Sequence, residues 1–364
     1  MQGARQSPPR VSVPTAAMAG TGHVSSRRRS VAPRAPVAAV TRILAVAVLA
    51  GVLPGCRHRA PLLTPTAARQ ILQTERQLNE QANGALDIDI QDRHETGAAA
   101  RIDDDAFRRL REAGKTAVPD VSQVSAARTF VPRQYRYPAE FLGQWTETYA
   151  GGAHGTSVGL FVRPTPADPW RATLYLYTPS DSPDPLPDLV VDRDGYATRL
   201  SFNDLERLNA NPDRLAREVA DFWNGYADPA FALTPMLAPG TWTTTRNEET
   251  RGDVAKKSAQ NQVEQFFASP GPYRYDSAYR TRFGGALLFI SVVEHIVVAV
   301  VPPMSLVTPV DYRGRQVLPL AVTKGAHEVW VDVLHLIAVD VPPGGRPARL
   351  IDGYSGPIAA ARVT

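Results

Sequence analysis

Apolar residues recur along this chain in two rhythms, and each rhythm dominates a different stretch. Between residues 65 and 113 they return every three or four positions. Ala68, Ile71, Leu72, Leu78 and Ala82 make one stripe, which predicts a helix opening at Thr64 or Thr66, with Pro65 in the first turn and Gly84 at its end. Asp103, Asp104 and Asp105 predict the start of a second helix over Ala106–Ala113, closed by Gly114. Between the two helices, Asp87, Asp89 and Asp92 alternate with Ile88 and Ile90, the pattern of an extended, solvated edge with its carboxylates on one face.

After about Arg128 the period changes to two. Strands are expected over Thr129–Tyr137, Phe141–Tyr149, Val158–Arg163 and Trp170–Tyr177. Asp194-Gly195, between Leu189–Val191 and Tyr196–Leu200, is a two-residue hairpin signal. The helical rhythm then returns. Asn211-Pro212 reads as an N-cap with proline at the first helical position, followed by the face Leu215, Val219, Phe222, Trp223 and Tyr226. Val254, Ala259, Val263 and Phe267 predict a further helix over roughly Glu249–Phe267. Strands follow over Tyr273–Arg282, Ala286–Val301, His327–Val341 and around Gly356–Val363. Ala286–Val301 is too short to span a bilayer as a helix and holds an acid, so it is a core strand. Helices followed by antiparallel strands, twice over, predict an α+β protein with two similar halves, residues 67–204 and 205–364. In each half, helices would pack on a curved antiparallel sheet.

Charge changes the picture at the N-terminus. The chain carries 40 Lys+Arg against 36 Asp+Glu, a net charge of +4. Residues 1–56 hold seven of the basic residues and no acid, so 33 basic residues face all 36 acids in the remainder, a net of −3. A basic surface that would release counterions from nucleic acid is therefore not expected of residues 57–364. Ile43–Leu53 is an unbroken apolar run behind Arg42, of signal-peptide rather than membrane-spanning length. It ends in Leu53-Pro54-Gly55-Cys56, and Cys56 is the one cysteine of the chain.

These four residues resemble the lipobox of bacterial lipoproteins, although proline stands where that motif carries a small or β-branched residue. The resemblance implies that residues 1–55 are a signal peptide, read from Met1 or Met18. It also implies that Cys56 takes a diacylglycerol on sulfur together with a fatty acid such as palmitate, and that residues 56–66 are the lipidated tether. Two acyl chains satisfy the two-signal rule for stable anchoring, with Arg57 and Arg59 at the headgroups. With no second cysteine, disulfides are excluded.

The order of elements is similar to that of cystatin-like or nuclear-transport-factor-like α+β rolls. Most of residues 65–364 also resembles a family of uncharacterised actinobacterial lipoproteins. The stretches that carry this likeness are Glu95-Thr96-Gly97-Ala98-Ala99-Ala100-Arg101-Ile102-Asp103-Asp104, Pro169-Trp170-Arg171-Ala172-Thr173-Leu174 and Gly284-Gly285-Ala286-Leu287-Leu288. Val301-Pro302-Pro303 and Val341-Pro342-Pro343-Gly344-Gly345 add to it. The likeness implies an exported, membrane-tethered, non-catalytic protein of the extracytoplasmic face and supplies no site residue.

Chemistry-bearing motifs are few. Gly155-Thr156-Ser157-Val158-Gly159 fits the nucleophile-elbow spacing, but it runs into a strand where the elbow needs a helix. It reads as a glycine-rich hairpin loop. Asp192-Arg193-Asp194-Gly195 fails the anchoring positions of a calcium loop and reads as a tight turn. Arg251-Gly252-Asp253 is a chance tripeptide. Glu294 and His295 interrupt the most apolar strand and, as neighbours, point to opposite faces. If the strands bearing His295 and His335 pair antiparallel, the two imidazoles could approach as a pH-sensing pair or half a metal site. Otherwise they are ordinary core or rim histidines. Trp330 shares the wetter face of its strand with Glu328 and Asp332. With no metal motif, no phosphate loop and no convergent catalytic set, no cofactor and no metal are expected. The sequence points to a lipid-anchored binding or scaffolding protein of the cell envelope, whose partner is an envelope protein or a small ligand. The alternative is a hydrolase or isomerase with a polar pocket inside a roll.

Overall fold

The computed structural model describes residues 60–118, 123–148, 154–301, 304, 306, 310–312, 315–318 and 325–363. The signal peptide and Cys56 lie outside these residues. Ala60–Thr364 form one compact unit.

Helix α1 (Pro65–Ala85) opens on Thr64, whose side chain accepts from the Ala67 N–H, and closes on Leu86 in the left-handed conformation. Gly84, expected to end it, lies inside the helix. The segment expected to be an extended acidic edge is instead helix α2 (Ile88–His94), because the Asp87 carboxylate caps it by accepting from Ile90 N–H at 3.0 Å. Helix α3 (Gly97–Glu112) starts before the acidic triplet that was expected to open it. Ala98, Ala99 and Ile102 already belong to its buried face, so the aspartates sit mid-helix.

The first sheet contains β1 (Gln123–Pro132), β2 (Ala139–Thr148), β3 (His154–Arg163), β4 (Arg171–Pro179) and β5 (Tyr196–Ala197), in the order β4-β3-β2-β1-β5. The first four pair antiparallel, and the short β5 runs parallel to β1. Gly155–Gly159 is not a loop. It lies within β3, paired on both sides, and Ser157 is buried in the sheet. A Cβ on Gly155 would sit 2.4 Å from the Thr178 carbonyl oxygen, so close strand packing, not a turn, requires glycine there. The Asp192–Gly195 turn forms as expected, with Gly195 at φ +84°. The hairpin it closes amounts to the single bridge Val191–Ala197.

Three helices follow: α4 (Phe202–Arg207), α5 (Pro212–Asn224, capped by Asn211) and α6 (Arg246–Ser258). The helix expected over 249–267 stops at Ser258, and Asn261 adopts φ +57°. Val263 and Phe267 lie on strand β6 (Gln262–Pro270). A spacing of four fits either period, which is why these two residues read as helical. The second sheet joins β6 to β7 (Ala278–Arg280), β8 (Ala286–Val300), β11 (Glu328–Val341) and β12 (Arg349–Val363), with the main order β12-β11-β8-β6 and β7 also on β8. Strands β9 (Val310–Tyr312) and β10 (Arg315–Leu318) form a separate ribbon.

The core explains the layering. One face of the first sheet (Phe141, Trp145, Phe161) packs on Ala68 and Leu72 of α1. Its other face (Leu142, Leu160, Leu174) meets Leu287, Phe289, Leu334 and Leu336 of the second sheet. The far face of the second sheet (Leu288, Ile290, Ile337, Val339) packs on Leu215, Val219 and Trp223 of α5. The α+β class is borne out, as helix, sheet, sheet, helix.

Candidate functional site: buried polar clusters and an open sheet face

Strands β8 and β11 pair antiparallel, but the register puts His295 opposite Asp332 and His335 opposite Val292. The two histidines therefore point to opposite faces and do not meet. His335 faces the helical layer, where it joins Glu294 and Arg246. Its Nε2 is 3.4 Å from Glu294 Oε2 and its Nδ1 is 2.8 Å from Ser355 Oγ. Arg246, in the first turn of α6, donates to Glu294 Oε1 and lies over the Trp223 ring at 3.6 Å. Trp223 and Trp242 both set edge-to-face against His335. Glu294, Arg246 and His335 are all fully enclosed. The ion pair and the Trp223 ring offset the desolvation of the Arg246 and Glu294 charges.

A second polar cluster lies where α2 and α3 cover β4 and β12. Glu95 is 1% exposed, and neither of its carboxyl oxygens makes a hydrogen bond of ordinary geometry. Burial, reinforced by the nearby Asp103 carboxylate, pushes its pKa well above the usual carboxylate range. Asp103 accepts from Tyr354 O–H and, at 3.3 Å, from the Gln91 amide, and burial raises it to about 6. Burial raises Glu75 to about 8 and lowers His94 to about 4. Both ring nitrogens of His94 are without a hydrogen-bond partner. On the neighbouring strand β12, Asp352 accepts from Thr178 at 2.8 Å and is raised by burial to about 7. Among the described residues, no three His, Cys, Asp or Glu side chains converge in a way that could hold a metal ion.

The third feature is a face left open. The half of β8 that includes Leu287 and Phe289 is covered by the first sheet. Beyond it Val293, His295, Val297 and Ala299 are half-exposed. Phe267 (52% exposed) pairs with His295 across β6, and Trp330 pairs with Val297 across β11. The His295 ring lies 5.4 Å from that of Trp330 and 6.5 Å from that of Phe267, and its Nδ1 is 2.6 Å from Asp332 Oδ1. Trp330 and Asp332 share one face, as the alternation of β11 requires.

Sequence reasoning found Glu294 by its place in an apolar strand but missed Arg246 and the Glu95–Asp103 pair, since no spacing rule links residues so far apart. Arg251-Gly252-Asp253 lies in the body of α6. No helix among the described residues is long and apolar enough to cross a membrane.

Sheets packed face to face between helices, with an enclosed ionic core and an open aromatic face, define an α+β protein. Residues 59–362 match the family described as a domain of unknown function (DUF8094), and the chain belongs to it. It is also similar, at 23% identity over 248 residues, to an uncharacterized lipoprotein of Streptomyces coelicolor. That match covers 64% of this chain and 65% of the relative, so the chain spans just under two thirds of the relative's length. The expected likeness to uncharacterised lipoproteins is borne out.

Proposed function

We propose that the chain is a lipid-anchored extracytoplasmic protein of the bacterial cell envelope that binds another envelope protein through the open face of its second sheet. Residues 1–55 are its signal peptide, Cys56 carries the diacylglycerol, and residues 56–66 are the tether. The lipobox-like Leu53–Cys56 and the lipoprotein name of the Streptomyces relative support the anchor.

The observation that carries the binding role is the aromatic face formed by Phe267, His295 and Trp330. Contiguous exposed apolar surface with embedded aromatics is the composition of interface centres. A protein partner fits better than a small ligand. Among the described residues, the hollow lined by Phe130, Val158 and Leu287 and the one beside Met236 and Val341 each hold about 20 Å³, room for about one water. The enzyme alternative would rest on Glu95 and Asp103, whose use would require α2 or α3 to lift.

A photo-crosslinking residue in place of Gln265, exposed on the same face, tests the binding role in intact membranes. A defined adduct with one envelope protein is expected, reduced about tenfold or more when Phe267 and Trp330 are both changed to alanine. The same adduct at the same yield from the double variant would contradict the assignment.

A further inference from the structure

One end of the first sheet carries aromatic and basic side chains in its turns. Leu62 donates its backbone N–H to the Gln134 carbonyl at 2.8 Å, so the chain enters the fold against the β1–β2 turn, residues 133–138. Arg163 pairs with Ala139, which places the β3–β4 turn, residues 164–170, at this same end. These turns present Tyr135 (40% exposed), the exposed Arg136, and the half-buried Tyr137 and Trp170. Arg163 lies over the Tyr137 ring at 5.8 Å and donates to the Asp168 carbonyl at 2.8 Å, which stiffens the tip. The neighbouring acids Asp192 and Asp194 are already engaged by Arg133, at 2.9 and 2.5 Å. The segment that leaves the opposite end after β4, residues 180–185, is Ser-Asp-Ser-Pro-Asp-Pro, with no aromatic and no basic residue.

Leu62 stands six positions after Cys56, at most about 20 Å of extended chain. Tyrosine and tryptophan favour the headgroup level of a bilayer, and arginine favours anionic lipid phosphate. We infer that this end of the first sheet docks on the surface of the membrane that holds the anchor. Tyr135, Tyr137 and Trp170 sit among the headgroups, and Arg136 lies on anionic lipid. The inference rests on the lipid-anchor reading and adds to it a fixed orientation of the domain.

Cys56 is the one native cysteine, so once it is acylated a second cysteine is the only free thiol available to a fluorophore. Ala167, at the tip of the β3–β4 turn, and Ser180, just past β4, are both exposed. The full exported chain carrying Ala167→Cys or Ser180→Cys is labelled and reconstituted in vesicles of phosphatidylcholine and phosphatidylglycerol that contain headgroup spin-labelled lipid. Quenching is expected to be severalfold stronger at position 167 than at 180. Adding Arg136→Glu should weaken docking about fivefold or more, and raised salt should weaken it too. Equal quenching at the two positions, or stronger quenching at 180, on protein that floats with the vesicles overturns the docking and leaves the anchor intact. Protein that fails to float and takes fluorophore on Cys56 removes the anchor itself, and the docking with it.

Discussion

Arg246→Met will destabilise the fold by about 3–5 kcal/mol, seen as an early midpoint in urea unfolding. The substitution keeps most of the side-chain volume. What it removes is the cation that pairs with Glu294 and covers the Trp223 ring. Glu294 is then left inside the second sheet beside His335, with no guanidinium to balance its charge. The double variant Arg246→Met with Glu294→Leu takes away both charges together and is expected to recover most of the loss, because apolar replacements of a buried pair are often neutral. If Arg246→Met alone unfolds at the wild-type midpoint, the enclosed ion pair does not stabilise the fold.

The second large effect is a fall in stability as pH rises. A carboxyl whose folded pKa lies above its unfolded value binds its proton more tightly in the fold. Its stabilisation is complete below the unfolded value and is lost as pH climbs through the folded one. Asp103 at about 6, Asp352 at about 7 and Glu75 at about 8 act in this sense, and the raised Glu95 adds to them. His94, lowered to about 4, acts in the opposite direction and removes stability as pH falls from about 6.5 towards 4. The carboxyls outnumber the imidazole, so a net loss on the order of 3–5 kcal/mol is expected between pH 5 and pH 8. Glu75→Gln should remove part of that slope and raise stability at pH 8 by on the order of 2–4 kcal/mol. Thermal unfolding across this range checks both. A flat profile, or a variant less stable than wild type at pH 8, would contradict the burial of these groups.

What the sequence made legible follows from how local each signal is. Asn211-Pro212 marks the start of α5 because capping is settled within four residues, and β8 and β11 read clearly because long apolar alternation has few other meanings. The errors lie where one pattern serves two structures. Asp87 with Ile88 and Ile90 fits a strand by alternation and a helix by capping, and the cap prevails. Val263 and Phe267, four apart, fit both periods. Glycines at 155 and 159 read as a loop, whereas the first lies against the Thr178 carbonyl and the second against the Phe161 and Tyr175 rings, contacts that no local rule reveals. The buried clusters were least legible. Arg246 meets Glu294 across 48 positions and Asp103 meets Tyr354 across 251, and only the anomaly of an acid in an apolar strand hinted at the first. The separation of His295 from His335 depended on register, which alternation within each strand leaves open.

On the proposed reading, this protein works from a lipid anchor at Cys56, with its compact α+β body held close to the membrane. Metabolic labelling with an alkyne analogue of palmitate, followed by capture of the full-length product, tests it most directly. Wild type is expected to take the label and to partition with membranes, while Cys56→Ser takes none and is released. Label on both proteins, or on neither, would contradict the anchor and the envelope function built on it.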